Sequence, residues 1–389
     1  MAKVLLLGEY HAERIVSAVR EYVDADIVIC GFDDVSGHVG GRVRHRDLFG
    51  SASADDILRL LDDEAPDLVL PNVYPRGQEQ LLTVYAEVAR RWRGMMPVHS
   101  PEFAELACDK VAFQATAVRR GWPVPQGTIC HDPAELAAAA QSLGLPVMVK
   151  EARTQPVEGC HRIRSRRALD TLAAVTRYPV VVQRVCHGEE LGAEFLTMAG
   201  TTVRWPLASF GLLPNDREAG RRVRLAPRRL SDRAAGTLDD FVADLTATYG
   251  VVGSWQVDLA VAGDELWVLE VNARLSGMSK LSHLASTVDP HRAFVAACFG
   301  DRVATPTPRY VSMELPIEPT GQLPPAPSGV TYDIDTGSPT DRCLLTSGYR
   351  RLRIQATLSS AVLDWLYRAG DILRVPLDEV SAHFATAAA

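Results

Sequence analysis

Apolar residues in the first hundred positions fall into short runs and helical periods that alternate. KVLLLG at 3–8, DIVICG at 26–31 and residues 67–71 are runs short enough to be buried strands. Residues 12–22 and 55–63 between them carry apolar positions at helical spacing. This alternation predicts a parallel sheet wrapped by helices through about residue 98. The first turn, GEYHAER, lacks G-x-G-x-x-G and is not expected to bind a dinucleotide. Glu9 and His11 there could face a cleft, but a solvated turn is the simpler reading.

Punctuation then becomes dense. Ser100-Pro101-Glu102 reads as a helix start, with Ser as N-cap and Pro in the first turn. Asp109 and Lys110 open a helix that ends at Gly121, before Pro123 and Pro125. Asp132-Pro133 caps another through Gln141, and VMVK at 147–150 is a strand ending in Lys150. That lysine is either solvated or delivered into a cleft. PVVV at 179–182 is a buried strand running into Gln183-Arg184-Val185-Cys186, and 231–249 predicts an amphipathic helix.

The densest signal lies at 254–277, where WQVDLAV and LWVLEVN flank AGDE. A three-residue turn at 263–265 would set Asp258 opposite Glu270 and Gln256 opposite Asn272, all four on one face. Val257, Leu259, Val261, Trp267, Leu269 and Val271 would take the core face. Facing carboxylates repel unless a cation intervenes, and hard oxygen ligands suit Mg²⁺. The alternative is an ordinary hairpin with one polar face. Past residue 301 the Pro-rich PIEPTGQLPPAPSG marks a boundary. Short strands and one helix at 359–369 follow, with the last five residues expected to fray.

Length and composition narrow the class. At 389 residues the chain exceeds one core, so two to four modules are expected. Its 47% hydrophobic and 23% charged residues are those of a soluble protein, and a net charge of −7 gives no reason for a nucleic-acid partner. No apolar run suits a membrane span. Seven cysteines without a C-x-x-C pair fit reduced thiols, hence a cytoplasmic protein.

The hairpin's E-V-N-A-R, with an acid twelve residues before the Glu, resembles the metal-binding end of ATP-grasp enzymes such as biotin carboxylase and carbamoyl-phosphate synthetase. The other parts occur in family order: D-K opening a helix, G-x-P-x-x-x-K, and a strand leading to a Glu. The resemblance implies an ATP-grasp fold of mixed α/β and α+β class. Its divisions would be an N-terminal parallel-sheet domain at 1–98, nucleotide-binding and catalytic domains at 99–303, and a small C-terminal domain at 304–389. It implies ATP and Mg²⁺ as cofactors, with Mn²⁺ admitted. By the same resemblance Lys110 and Lys150 contact phosphates, while Gln183 and the backbone of Arg184, Val185 and Cys186 hold adenine. Glu190 would hold ribose, and Asp258, Glu270 and Asn272 the metal. Arg274 would contact phosphate or substrate. Ser279 and Lys280, in a loop similar to one in D-alanine–D-alanine ligase, are substrate candidates.

Two segments need separate comment. If RRVRL is a strand, Arg222 and Arg224 share a face and could clamp a phosphate or carboxylate; a solvated charge run is the alternative. The loop after Lys150, EARTQPVEGCHRI, keeps only Gly159 where relatives have several glycines, and Arg153 or Arg162 could replace backbone donors. The reaction implied is γ-phosphoryl transfer to a small carboxylate, then attack by an amine, with no general base readable. Bicarbonate activation and non-catalytic nucleotide binding stay open, and a homodimer is admitted.

Overall fold

The computed structural model describes every residue except 32–33, 49–52, 74–79, 154–158, 215–221, 319–321, 336–349 and 388–389. The chain begins β1 (Ala2–Leu7), α1 (Ala12–Tyr22), β2 (Ala25–Gly31), α2 (Ser36–Val39), β3 (Val43–Asp47), α3 (Ala54–Glu64), β4 (Leu68–Pro71) and α4 (Leu81–Arg91). Its strands form a parallel sheet ordered β3-β2-β1-β4. The central strands are apolar runs because helices cover both faces. β3, VRHRD, carries no such run and gave no signal; it pairs in parallel at the exposed edge. The order reverses at β1, whose neighbours are β2 and β4. In sheets of this kind the crevice outside such strand ends is where ligands bind.

Next come α5 (Pro101–Cys108), α6 (Lys110–Arg120), β5 (Gly127–Cys130), α7 (Pro133–Leu143), β6 (Val147–Glu151), β7 (Cys160–Ile163), α8 (Arg166–Ala173) and β8 (Val180–Arg184). Asp109 caps α6 as the sequence predicts, its carboxylate accepting from the amides of Val111 (2.9 Å) and Ala112 (3.0 Å). Strands β5-β8-β6-β7 make an antiparallel sheet. Val147, Val149, Val180 and Val182 pack with Leu136, Ala140 and Leu169 in one apolar cluster. Alternation therefore turns Met148, Lys150 and Gln183 to the opposite face.

The rest is β9 (Gly188–Met198), β10 (Thr201–Arg204), β11 (Leu207–Leu213), β12 (Arg224–Arg228), α9 (Asp232–Thr248), β13 (Gly253–Ala262), β14 (Glu265–Asn272), α10 (Ser279–Ala285), α11 (Pro290–Cys298), β15 (Val311–Ile317), β16 (Val330–Asp335), β17 (Arg350–Ala356), α12 (Ser359–Arg368) and α13 (Leu377–Ala387). The second helix of the tail corrects the single one expected; of the five residues expected to fray, 388–389 lie outside the described residues. The large sheet runs β14-β13-β9-β11-β12-β15-β17-β16, with β10 beside β9. One strand from beyond residue 303, β15, thus hydrogen-bonds directly onto β12. Among the described residues no helix is long and apolar enough to cross a membrane.

Candidate active site

The hairpin reaches the expected register by another route. Ala262 pairs with Glu265, so the turn is the two residues Gly263 and Asp264, with Gly263 at φ +60°. Leu269 then bulges out between Glu270 and Val268, restoring Asp258 opposite Glu270 and Gln256 opposite Asn272. The bulge also corrects the core face. Leu266, Val268 and Val271 are buried, whereas Trp267 and Leu269 are half-exposed. It has one further result: Lys150 Nζ donates to the carbonyl of the bulged Leu269 at 3.2 Å.

Around the paired carboxylates the polar groups interlock. Gln256 Nε2 donates to Asp258 Oδ1 (2.6 Å), and Asn272 Nδ2 to Asp258 Oδ2 (3.3 Å). Arg274, largely buried, donates to Asn272 Oδ1 (3.2 Å) and to the Leu275 carbonyl (3.3 Å). Burial, then the charges of Glu270 and Glu190, push the Asp258 carboxyl well above the usual range. Burial acts the same way on Glu270, but Lys110 and Lys150 outweigh it and hold that carboxyl down. Two lysines from separate elements therefore converge electrostatically on one metal-type carboxylate. Among the described residues no three His, Cys, Asp or Glu side chains form a metal-holding group. Two carboxylates and an amide still fit Mg²⁺, which takes few protein ligands and fills its octahedron with phosphate oxygens and water.

No family model matches the chain. Solved structures do. The N5-carboxyaminoimidazole ribonucleotide synthetase of Thermus thermophilus aligns with a TM-score of 0.73 at 17% identity, over 96% of this chain and 99% of that one. The biotin carboxylase domain of Hydrogenobacter thermophilus 2-oxoglutarate carboxylase, a complex with MgADP, ADP and bicarbonate, aligns at 0.72 and 16% identity, over 96% and 90%. Glycinamide-RNase-transformylase T from Mycobacterium tuberculosis gives 0.70 and 15%, over 96% and 100%. The chain has the ATP-grasp fold.

The residues that the sequence resemblance puts on a nucleotide side fall as follows. Lys110 is the first residue of α6, its amide donating to the Ala152 carbonyl (2.9 Å). Arg153 is tied to Glu105 and Asp109, so it is not presented as a stand-in for lid glycines; Arg162 lies on β7 opposite Met148. Most of the loop itself, 154–158, lies outside the described residues. Gln183 is buried on the Lys150 face, its amide donating to Gln114 Oε1 (2.8 Å). A Cβ on Gly127 would lie 2.7 Å from Gln183 Cγ, so Gly127 makes room for that side chain. Sequence reasoning missed Gln114; its signal was the i, i+4 spacing from Lys110. The Arg184 amide donates to the Gln126 carbonyl (2.8 Å), which removes it from the donors expected for the adenine ring. Val185 and Cys186 follow where β8 ends, and burial pushes the Cys186 thiol up to about 11.

Arg222 and Arg224, open to reading as a clamp or as a solvated run, each face an acid of this chain. Arg222 precedes β12 and pairs with Glu190 at 2.5 Å, while Arg224 pairs with Glu314 at 3.0 Å and stacks its guanidinium 5.6 Å from the Phe210 ring. Arg217 and Arg221 lie outside the described residues. Burial favours neutral Glu314, yet Arg351, Arg224 and Arg353 hold its carboxyl at about 2. Ser279 is fully buried, donating to the Ser276 carbonyl (2.9 Å), and Lys280 pairs with Asp335 (3.1 Å) under the same sheet face. Both substrate candidates are thus held by contacts within the protein, Ser279 to the loop that follows Arg274 and Lys280 to β16. Glu194 was also missed. It is wholly buried on β9, accepts from the amide (3.3 Å) and hydroxyl of Ser276, and has its carboxyl raised by burial to about 7. Nothing local marks it, because its partner is 82 residues away. A cavity of about 40 Å³ closes the site on this side, lined by Tyr10, Asn72 and Val73 from the β1 and β4 ends and by Arg274 and Leu275.

Proposed function

We propose that the chain is a Mg·ATP-dependent, ADP-forming ligase that phosphorylates a small carboxylate and joins the acyl phosphate to an amine. The observation that carries this reading is the convergence of Lys110 and Lys150 on Glu270 while Asp258 faces it across the hairpin. That arrangement suits the outer phosphates of a nucleotide, where charge develops during γ-transfer. Asp258, Glu270 and Asn272 would hold Mg²⁺, which offsets phosphate charge when bound. Lys150 comes from a separate sheet and is aimed by the bulge carbonyl; Lys110 comes from a helix start. Arg274, tethered to Asn272, lies between the metal ligands and the cavity, placed to orient an acid's oxygen toward the γ-phosphorus. The cavity lies at the switch point, the region where sheets of this kind bind ligands.

Bicarbonate activation is the second reading, favoured by the similar biotin carboxylase domain that is a complex with bicarbonate. One experiment separates the two. ATP, Mg²⁺ and hydroxylamine are incubated with a panel of organic acids, and ADP and hydroxamate are measured. Acid-dependent ADP with a hydroxamate supports the ligase. Bicarbonate-dependent ADP without an acid points to carboxylation instead, and AMP with pyrophosphate would sink both.

A further inference from the structure

The turn that follows β1 reads from sequence as solvated, yet Tyr10 and His11 are buried, His11 with its Nδ1 3.1 Å from His291 Nε2. Tyr10 lines the cavity of about 40 Å³ that Arg274 also lines. The inner wall of this cavity is hydrocarbon. Ile15 comes from α1, Val73 from just past β4, Leu82 from α4 and Phe294 from α11, none more than 5% exposed. Pro97, Val98 and Leu275 are only half-buried, so the cavity lies close to the surface on their side.

Two polar side chains of the wall, His99 and Asn72, are engaged within the protein. His99 Nδ1 accepts from the Val252 amide (3.2 Å), so Nε2 carries the proton and donates to the Ser254 carbonyl (3.2 Å). Burial pushes that ring down to about 4, which leaves it neutral near pH 7. Asn72 Nδ2 donates to the carbonyls of Gly8 (3.3 Å) and Tyr10. Among the described residues no Asp, Glu or Lys lines the cavity, and Arg274 is its one charged wall group. Arg274 also donates to Asn272 Oδ1 on the hairpin (3.2 Å). A molecule held by Arg274 therefore has the paired carboxylates on one side of it and an apolar chamber on the other.

Size limits what the chamber takes. A void of about 10–15 Å³ admits one water-sized group, so this one admits about three. Resting on the ligase reading above, we propose that the cavity receives the hydrocarbon tail of the acid, and that the substrate is a short aliphatic carboxylate with an uncharged tail of about three carbons. Arg274 takes the carboxylate, and the tail packs on Val73, Leu82 and Phe294. Each methylene moved there from water strengthens the interaction about fourfold. A hydroxyl or a second charge at the end of the tail meets hydrocarbon and loses its hydration unreplaced.

The test uses full-length protein with ATP, Mg²⁺, hydroxylamine and straight-chain acids from acetate to hexanoate. kcat/KM should rise about fourfold per carbon up to butyrate, then fall about tenfold or more at hexanoate. 3-Hydroxypropionate, which matches butyrate in length, should be poorer by about tenfold or more. Leu82→Phe adds about as many atoms as the cavity admits and should bring the butyrate-to-acetate ratio down to about one. If L82F fails to fold, as a Mg·ADP thermal shift would show, I15F fills the cavity from α1. Rates blind to tail length, a hydroxyl accepted as well as a methyl, turnover confined to charged or aromatic acids, or a ratio unmoved in the folded variant each overturn the proposal. ADP release with no acid at all refutes the ligase reading first. Saturation-transfer NMR of butyrate with Mg·ADP then decides separately: binding to wild type that the variant loses supports the cavity assignment, and binding absent or unchanged overturns it.

Discussion

Removing one carboxylate from the hairpin should stabilise the empty protein while weakening its ligand response. Asp258 and Glu270 are directly opposite, and such pairs place their Cβ atoms about 4.5–5.5 Å apart. Two full charges about 4.5 Å apart at an effective dielectric of about 20 would repel by about 4 kcal/mol; burial and this repulsion lift the Asp258 carboxyl, so the comparison is made at a pH high enough to ionise both. Lys110 and Lys150 offset part of this at Glu270, leaving about 2–3 kcal/mol to relieve. D258N keeps the acceptor for Gln256 but loses the one for Asn272, a cost of about 1 kcal/mol. The net gain of about 1–2 kcal/mol corresponds to a Tm rise of about 1–2 °C in a chain this long. Mg·ADP at about 100 times its Kd adds about 2.7 kcal/mol to the wild type. Affinity weakened about 100-fold by the lost charge would leave D258N about 0.4 kcal/mol of that. The order of the two melting temperatures should therefore invert on adding Mg·ADP in differential scanning fluorimetry. A lower Tm for the empty variant, or an undiminished ligand shift, would refute the repulsion argument.

E270Q should fold and lose ATP turnover by at least about 10²-fold in a coupled ADP assay, since the charge on which both lysines converge is gone. K150A should weaken ADP and ATP by about tenfold or more in titration calorimetry with little change in Tm; equal affinities would put Lys150 outside the nucleotide site. For Glu194, burial raises the folded carboxyl to about 7 from an ordinary 4.5. The stability it contributes is thus complete below about 4.5 and lost as pH rises through about 7. Tm against pH should fall more steeply for the wild type than for E194Q across that window, and parallel curves would count against the assignment.

What could be read from sequence depended on how local each signal was. Caps, stops and alternation placed Lys110, Lys150 and the hairpin, because Asp109, Gly121 and the Val runs act within a turn or a strand. The hairpin register emerged from a wrong turn length only because the Leu269 bulge supplied the missing residue, and a bulge has no reliable sequence mark. His11, Glu194 and Arg351 carry no such mark either. Their partners are His291, Ser276 and Glu314, each reached through tertiary packing, so a solvated reading was the natural one. Arg222 and Arg224 stayed open between two readings for the opposite reason. Sequence shows a run of like charge, and only the sheet brings Glu190 and Glu314 up to separate them.

The way the two antiparallel sheets are wired sets where this chain can be recombined. The four-stranded sheet is entered near Gln126 and left near Arg184, and those points are bonded to each other through the Arg184 amide and the Gln126 carbonyl. A segment whose ends meet behaves as an insertion, so it can be exchanged with a homologous one without moving the ends of the host. The tail is different. β15 ladders onto β12, and Arg351 from β17 reaches both Glu314 and the Arg222 carbonyl (3.2 Å), so a junction near residue 304 would sever one sheet and strand a buried ion pair. Chimeras should therefore cut at 126 and 184, or else carry everything from β9 to the end as one piece.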